Sequence, residues 1–122
     1  HKMKRERVFE LAKGFRGKAK NCFRVANAQV EEALENQYAD RKVLKRDMRA
    51  MWIQRINAGT REHGLKYGDF IHGQKLANVA LDRKILADLA VTEPFSFKKV
   101  VDIARDALMV SKQAQAAALA QA

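Results

Sequence analysis

The basic side chains between Arg41 and Arg61 are the residues of this chain whose type and spacing could do chemistry. Arg41, Lys42, Lys45, Arg46, Arg49, Arg55 and Arg61 stand around the only tryptophan, Trp52. Their chemistry is phosphate binding: a guanidinium offers a planar fork of donors and an ammonium a compact charge, and both make charge-assisted hydrogen bonds to phosphate oxygens. Placed at helical intervals, Lys42, Lys45, Arg46 and Arg49 share an arc of about 100°. Leu44, Met48, Met51, Trp52 and Ile56 fill a neighbouring arc of about 140°. The basic stripe can track a phosphate backbone. The apolar stripe needs a packing partner, most simply the C-terminal half of the same chain, with Trp52 as a core anchor.

Other residues that could do chemistry form no catalytic set. His1, His63 and His72 have no carboxylate or cysteine at a ligand-like spacing, so no metal site is expected. Cys22 is the only cysteine, which excludes an intramolecular disulfide; with no histidine base beside it, it reads as a small packing residue. No glycine-rich phosphate loop follows a strand. Glu31 and Glu35, four residues apart, read as a solvated helix face. The expectation is a protein without enzymatic activity, cofactor or small-molecule substrate.

Charge points the same way. Among 122 residues, 24 Lys and Arg stand against 14 Asp and Glu, a formal charge of +10 with a sequence pI near 10.1. Such a balance suits a polyanion. The excess is uneven: residues 1–61 carry +9 and residues 62–122 only +1. Within the basic half, Glu31 to Asp40 form an acidic interval between two basic blocks, residues 1–28 and 41–61. No run of about 18 apolar residues exists, so no spanning helix is expected. A membrane-surface helix fits poorly, because the basic residues are split over two blocks and the apolar stripe is narrow. Residues 1–20 are basic but contain Glu6 and Glu10 and end in a glycine-bounded turn, so they read as mature structure rather than a transit peptide.

The elements that position these residues are all helical, since one proline, six glycines and no alternating β-branched run leave no strand signal. A first helix is expected over about Lys4 to Lys13, with Val8, Leu11 and Ala12 on one face. It ends at "KGFRGK", where Gly14 and Gly17 permit positive φ. A helix of roughly forty residues, about 60 Å, is then allowed from an Asn21 N-cap to Gly59. Three shorter helices follow around a small core. Tyr67, Phe70, Ile71 and Leu76 mark the first. Ile85, Leu86, Leu89 and Ala90 mark the second, capped by Asp82, and Val100, Ala104, Ala107 and Leu108 the third, capped by Ser96 after "TEPFS" breaks its predecessor. The Ala/Gln-rich residues 111–122 read as a helical or frayed tail. The expected organisation is an extended basic arm, residues 1–58, a small globular helical domain, residues 59–110, and the tail. Without a polyanion the chain is expected to fold only from about Trp52 onward, because residues 1–45 hold too little apolar surface to offset an ordering cost of roughly 1–2 kcal/mol per residue.

Four stretches, "LAKGFRGKAKNCFRVA", "YADRKVLKRDMRAMWIQRINAG", "YGDFIHG" and "DRKILADLA", together in this order, resemble the bacterial-type large-subunit ribosomal protein L-twenty family from about Lys4 to Leu108. The resemblance implies an all-α fold with a long basic helical arm buried in ribosomal RNA and a small C-terminal helical domain. It also implies a structural, non-enzymatic role in the large subunit and its early assembly, with large-subunit ribosomal RNA and neighbouring ribosomal proteins as partners. By motif, Lys13, Gly14, Arg16, Gly17, Lys18, Lys20 and Arg24 match the family's RNA-embedded turn. Arg41, Lys42, Lys45, Arg46, Arg49 and Arg55 match its basic helix, with Asn57 at the junction; with Arg61 these form the candidate RNA-binding set.

The chain departs from the family pattern at Ala39 and Leu44, where arginine is usual, and at Asp69, where a basic or polar residue is. Family basic residues upstream of His1 are absent from these 122 residues. The wording "GFRGKAKNC", "INAGTREHG" and "YGDFIHG" resembles mitochondrial members more than bacterial ones, so a mitochondrial ribosome is expected, with bacterial cytoplasm or plastid as the alternative. The alternative function is a regulatory RNA- or DNA-binding protein outside the ribosome. A helix-turn-helix reading would need a base-reading helix, and the helix near Phe70 to Asn78 offers only Gln74, Lys75 and Asn78.

Overall fold

The computed structural model describes residues 4–120, and among them every regular element is helical. His1, considered above as a ligand, lies outside these residues. The chain divides into two compact units, His1–Arg46 and Asp47–Ala122.

The first unit holds α1 (Arg5–Leu11), a 3-10 turn (Gly17–Lys20) and the N-terminal part of α2 (Phe23–Glu62). Val8 and Ala12 of the α1 segment, and Ala26 and Val30 of α2, are buried together. Each pair lies one helical turn apart, so each forms a single ridge, and the alanines let the two backbones approach. Phe9, Leu11, Phe15 and Phe23 close over this small cluster, with the Phe9 and Phe23 rings 6.1 Å apart. The basic N-terminal segment therefore carries a core of its own, a feature its charge count conceals. The turn runs through Gly14 (φ 86°) and Gly17 (φ 61°), in the left-handed region where a side chain is strained. Asn21 does not cap α2. Its N–H and that of Cys22 both bond to the Lys18 carbonyl, and the first α-helical bond is Ala26 N–H to the Cys22 carbonyl at 2.8 Å. Cys22 itself is exposed, which overturns its reading as a packing residue.

The second unit comprises the C-terminal part of α2, α3 (Tyr67–Leu76), α4 (Arg83–Thr92) and α5 (Pro94–Ala120). Ile56, Phe70, Leu86, Ala87, Phe97, Val101 and Ala104 form its core, with Trp52, Tyr67, Ile71, Leu89, Ala90 and Val100 packed around them. The Phe70 and Phe97 rings meet at 5.9 Å. Leu76 and Ile85, expected inward, are 41% and 43% exposed; Gly73, Gln74 and Ala87 take the inward positions instead.

Helix α2 does not stop at Gly59. A Cβ built there would lie 2.9 Å from the Phe97 ring and 3.5 Å from Ala90 Cβ, so the glycine is a place for α5 and α4 to approach rather than a terminator. The end comes at Gly64, φ 76°, where Leu65 N–H bonds to the Thr60 carbonyl and Gly64 N–H to the Arg61 carbonyl. This pair of bonds is a Schellman motif. The Arg105 side chain also donates to the His63 carbonyl. Asn78, φ 52°, ends α3 in the same way.

Asp82 caps α4 as expected, its Oδ1 accepting from Ile85 N–H at 2.9 Å. Ser96 does not cap α5. That helix opens at Pro94 itself, because the ring's locked φ suits the first helical position and its missing N–H is not needed there. Ser96 thus sits in the first turn, and α5 continues through the Ala/Gln-rich residues to Ala120.

Candidate nucleic-acid interface

In the first unit the glycine turn and the 3-10 turn present Lys13, Arg16, Lys18 and Lys20, and α2 presents Arg24, Arg41, Lys42, Lys45 and Arg46; all nine side chains are exposed. Around Gly14 and Gly17 an added Cβ would meet nothing within 4 Å, so their backbone is open to a ligand. In the second unit Arg49, Arg55 and Arg61 are exposed, and Asn57 is half-buried. Asn57 Oδ1 accepts from Arg61 Nε at 3.1 Å, which fixes the direction of that guanidinium.

Among the described residues the two ion pairs are Arg7–Glu10 and Arg105–Asp102, and neither uses a cation of the candidate set. The acidic interval of α2 therefore forms no ion pair with the basic rows among the described residues. A row of exposed cations without carboxylate partners on a helix is an arrangement that accepts phosphates.

The two stripes separate as their spacing predicts. Ile56 is wholly buried, and Trp52 packs against the second unit's core. The stripe fades toward its N-terminal end, where Leu44 is 59% exposed. Trp52 is half-buried, so part of its ring remains at the surface of a cleft with Arg55 and Lys84.

Tyr38 is a candidate that charge counting passes over. Its hydroxyl accepts from Lys42 Nζ at 2.9 Å, the same ammonium stands 4.1 Å from the ring centroid, and the Arg41 guanidinium lies 6.0 Å from it. The exposed ring holds two of the candidate cations in place by cation–π attraction. A signal was present in the sequence, an aromatic residue three and four positions before two cations. Arg5 stands likewise over Phe23 at 4.7 Å.

Gln74, one of the few residues available to a base-reading helix, is spent elsewhere. Its side chain is buried, and Nε2 donates to the Val79 and Leu81 carbonyls at 3.1 and 2.7 Å, holding the loop after α3. This removes the main support for a helix-turn-helix reading. Among the described residues no three His, Cys, Asp or Glu side chains gather as a metal site, and no helix is long and apolar enough to cross a membrane.

Comparison with known proteins gives one consistent result. The family model described as "Ribosomal protein L20" matches residues 1–100. A "Large ribosomal subunit protein bL20" of Ehrlichia canis is 54% identical over 110 residues, covering 90% of this chain and 89% of its own. Proteins of the same name from Rhodospirillum centenum and Wolbachia pipientis are 52% and 55% identical, over 84% and 80% of this chain and 87% and 80% of theirs.

Proposed function

The chain belongs to the Ribosomal protein L20 family, and from that premise we propose how its surface serves the role. It is a structural constituent of the large ribosomal subunit and not an enzyme. Large-subunit ribosomal RNA is the polyanion for its basic rows. The observation that carries this reading is the set of exposed cations on the glycine turn and α2 that have no carboxylate partner.

The division of labour is proposed in the same terms. Residues 1–58 are the RNA-embedded arm, whose end at Trp52 and Ile56 also packs into the core of the globular domain, residues 59–110, and residues 111–122 are an appendage. Lys13, Arg16, Lys18, Lys20 and Arg24 take phosphates around a backbone that Gly14 and Gly17 allow to bend. Arg41, Lys42, Lys45, Arg46, Arg49, Arg55 and Arg61 take them along α2, with Asn57 orienting Arg61. Because phosphate contacts position a protein before bases specify it, such an arm orders RNA segments around itself, which is the physical content of a role in early subunit assembly.

We further place the protein in a mitochondrial ribosome on the wording of its glycine turn and of the stretches "INAGTREHG" and "YGDFIHG"; the relatives compared above are bacterial. Sedimentation tests both statements. Tagged protein in source-cell lysates should travel with large ribosomal particles and leave them after nuclease digestion, and organelle fractionation should place those particles in mitochondria. Free sedimentation before nuclease treatment would remove the ribosomal reading, and particles confined to a bacterial cytoplasm or plastid would remove the mitochondrial one.

A further inference from the structure

The acidic interval of α2 contains a feature that phosphate binding does not explain. Gln29, Glu32 and Asn36 lie three and four residues apart, on one face of the helix. They line an open cleft of about 330 Å³ whose opposite wall is Phe15 and Arg16 of the glycine turn. Ala19, buried, and Ala33, half-buried, form its floor. The cleft lies wholly within the first unit. Phe15 is half-buried, packs against the unit's apolar cluster and also lines the cleft. Among the described residues Glu32 has no ion-pair partner. On the neighbouring face, by contrast, Glu31 accepts a hydrogen bond from Asn27.

The lining of this cleft, an aromatic ring, a guanidinium, a carboxylate and two carboxamides, holds the group types that bind an unpaired base. Unpaired RNA bases are recognised by stacking on an aromatic ring or a guanidinium plane and by hydrogen bonds to their Watson–Crick edges. Phe15 supplies the ring and Arg16 a cation for the adjoining phosphate. A carboxylate accepts only, and it best satisfies an edge with two adjacent donors. Among the four RNA bases, guanine alone has such an edge, with N1–H and the N2 amino group side by side. The carboxamides of Asn36 and Gln29 offer N–H donors for its O6.

We propose that the Phe15, Arg16, Glu32 and Asn36 cleft holds one extruded guanine of the RNA that the arm binds, with Glu32 accepting from N1–H and N2–H. The proposal rests on the RNA-binding reading above. It assigns a sequence-reading task to a segment whose negative charge otherwise argues against RNA contact.

The test uses the 122-residue chain and hairpin RNAs with a single extruded nucleotide, varied among G, A, U, C and inosine, with affinities measured by fluorescence anisotropy near 0.2 M salt. Guanine should bind about tenfold tighter than adenine, as one bidentate contact provides. Inosine, which lacks the N2 amino group, should fall between them. Glu32→Gln keeps the shape but breaks the paired acceptor, so the ratio of guanine to adenine affinity should collapse toward one. That ratio separates base reading from the general gain in affinity that losing a negative charge would bring. Asn36→Ala should lower the ratio without altering the salt dependence. Equal affinity for all five RNAs, or an unchanged ratio in Glu32→Gln, would overturn the guanine site while leaving phosphate binding intact. Failure to bind any of the RNAs would overturn both readings.

Discussion

Gly73 of α3 lies so close to Ala104 of α5 that a Cβ built on it would overlap the Ala104 carbonyl oxygen and touch the Leu108 side chain. The helices meet through backbone at this point. Gly73→Ala should therefore destabilise the protein by about 1–3 kcal/mol through overpacking, read as a lower midpoint in chemical denaturation. Gly68, in the same helix, faces open space, and Gly68→Ala should be neutral or gain up to about 1 kcal/mol from helix propensity. Equal effects at the two positions would contradict the packing described.

The two stripes of α2 should separate in mutants. Lys45 and Arg49 are exposed, so Lys45→Ala with Arg49→Ala should weaken RNA binding, lower its salt slope by somewhat less than one unit per lost phosphate contact, and leave the melting temperature nearly unchanged. Trp52→Ala should instead lower stability by about 2–4 kcal/mol, below the value for a fully buried ring because Trp52 is only half-buried. A Trp52→Ala protein of normal stability with impaired RNA binding would move the tryptophan to the RNA-facing stripe.

The glycine turn should resist side chains for conformational rather than steric reasons. Gly14 and Gly17 have positive φ, yet nothing lies within 4 Å of an added Cβ. Gly14→Val or Gly17→Val should thus impair incorporation into large subunits, since a β-branched residue is strained there and would hold RNA away. Gly17→Asn should be tolerated better, because asparagine adopts this region more readily. Incorporation of the valine variants at the wild-type rate would remove residues 13–18 from the interface.

In the free protein the two units should differ in protection. The second unit buries Phe70, Phe97, Ile56 and Leu86. The buried cluster of the first has two valines and two alanines among many like charges. Hydrogen exchange without RNA should be slow for amides of residues 70–104 and fast for residues 5–45. Comparable protection in both would show that the Val8, Ala12, Ala26 and Val30 cluster suffices without a ligand.

Helical class, the glycine turn, the Asp82 cap and the pairing of basic and apolar stripes were legible because each depends on residues a few positions apart. Periodicity, left-handed φ and capping are local physics. For the same reason Tyr38 beside Arg41 and Lys42 could have been found in advance. The basic rows could be named residue by residue, whereas a polar cleft such as that of Glu32 could not. Its walls come from segments more than ten residues apart, and nothing in either segment alone announces the other.

By itself, then, the sequence determined which segments are helical, which faces are charged and which family the chain resembles. Tertiary structure alone decided what its glycines do: Gly59 reads locally as a helix end, yet it sits inside α2 where the Phe97 ring approaches it, and Gly73 lets α3 meet the Ala104 backbone of α5. It likewise decided that Phe97 and Ala87, rather than Ala107 and Ile85, fill the core, and that the basic arm has a small core of its own. A helix's pattern shows that it has an apolar face, but which residues of that face are buried depends on where the next helix crosses it, and that crossing is set by contacts distant in sequence.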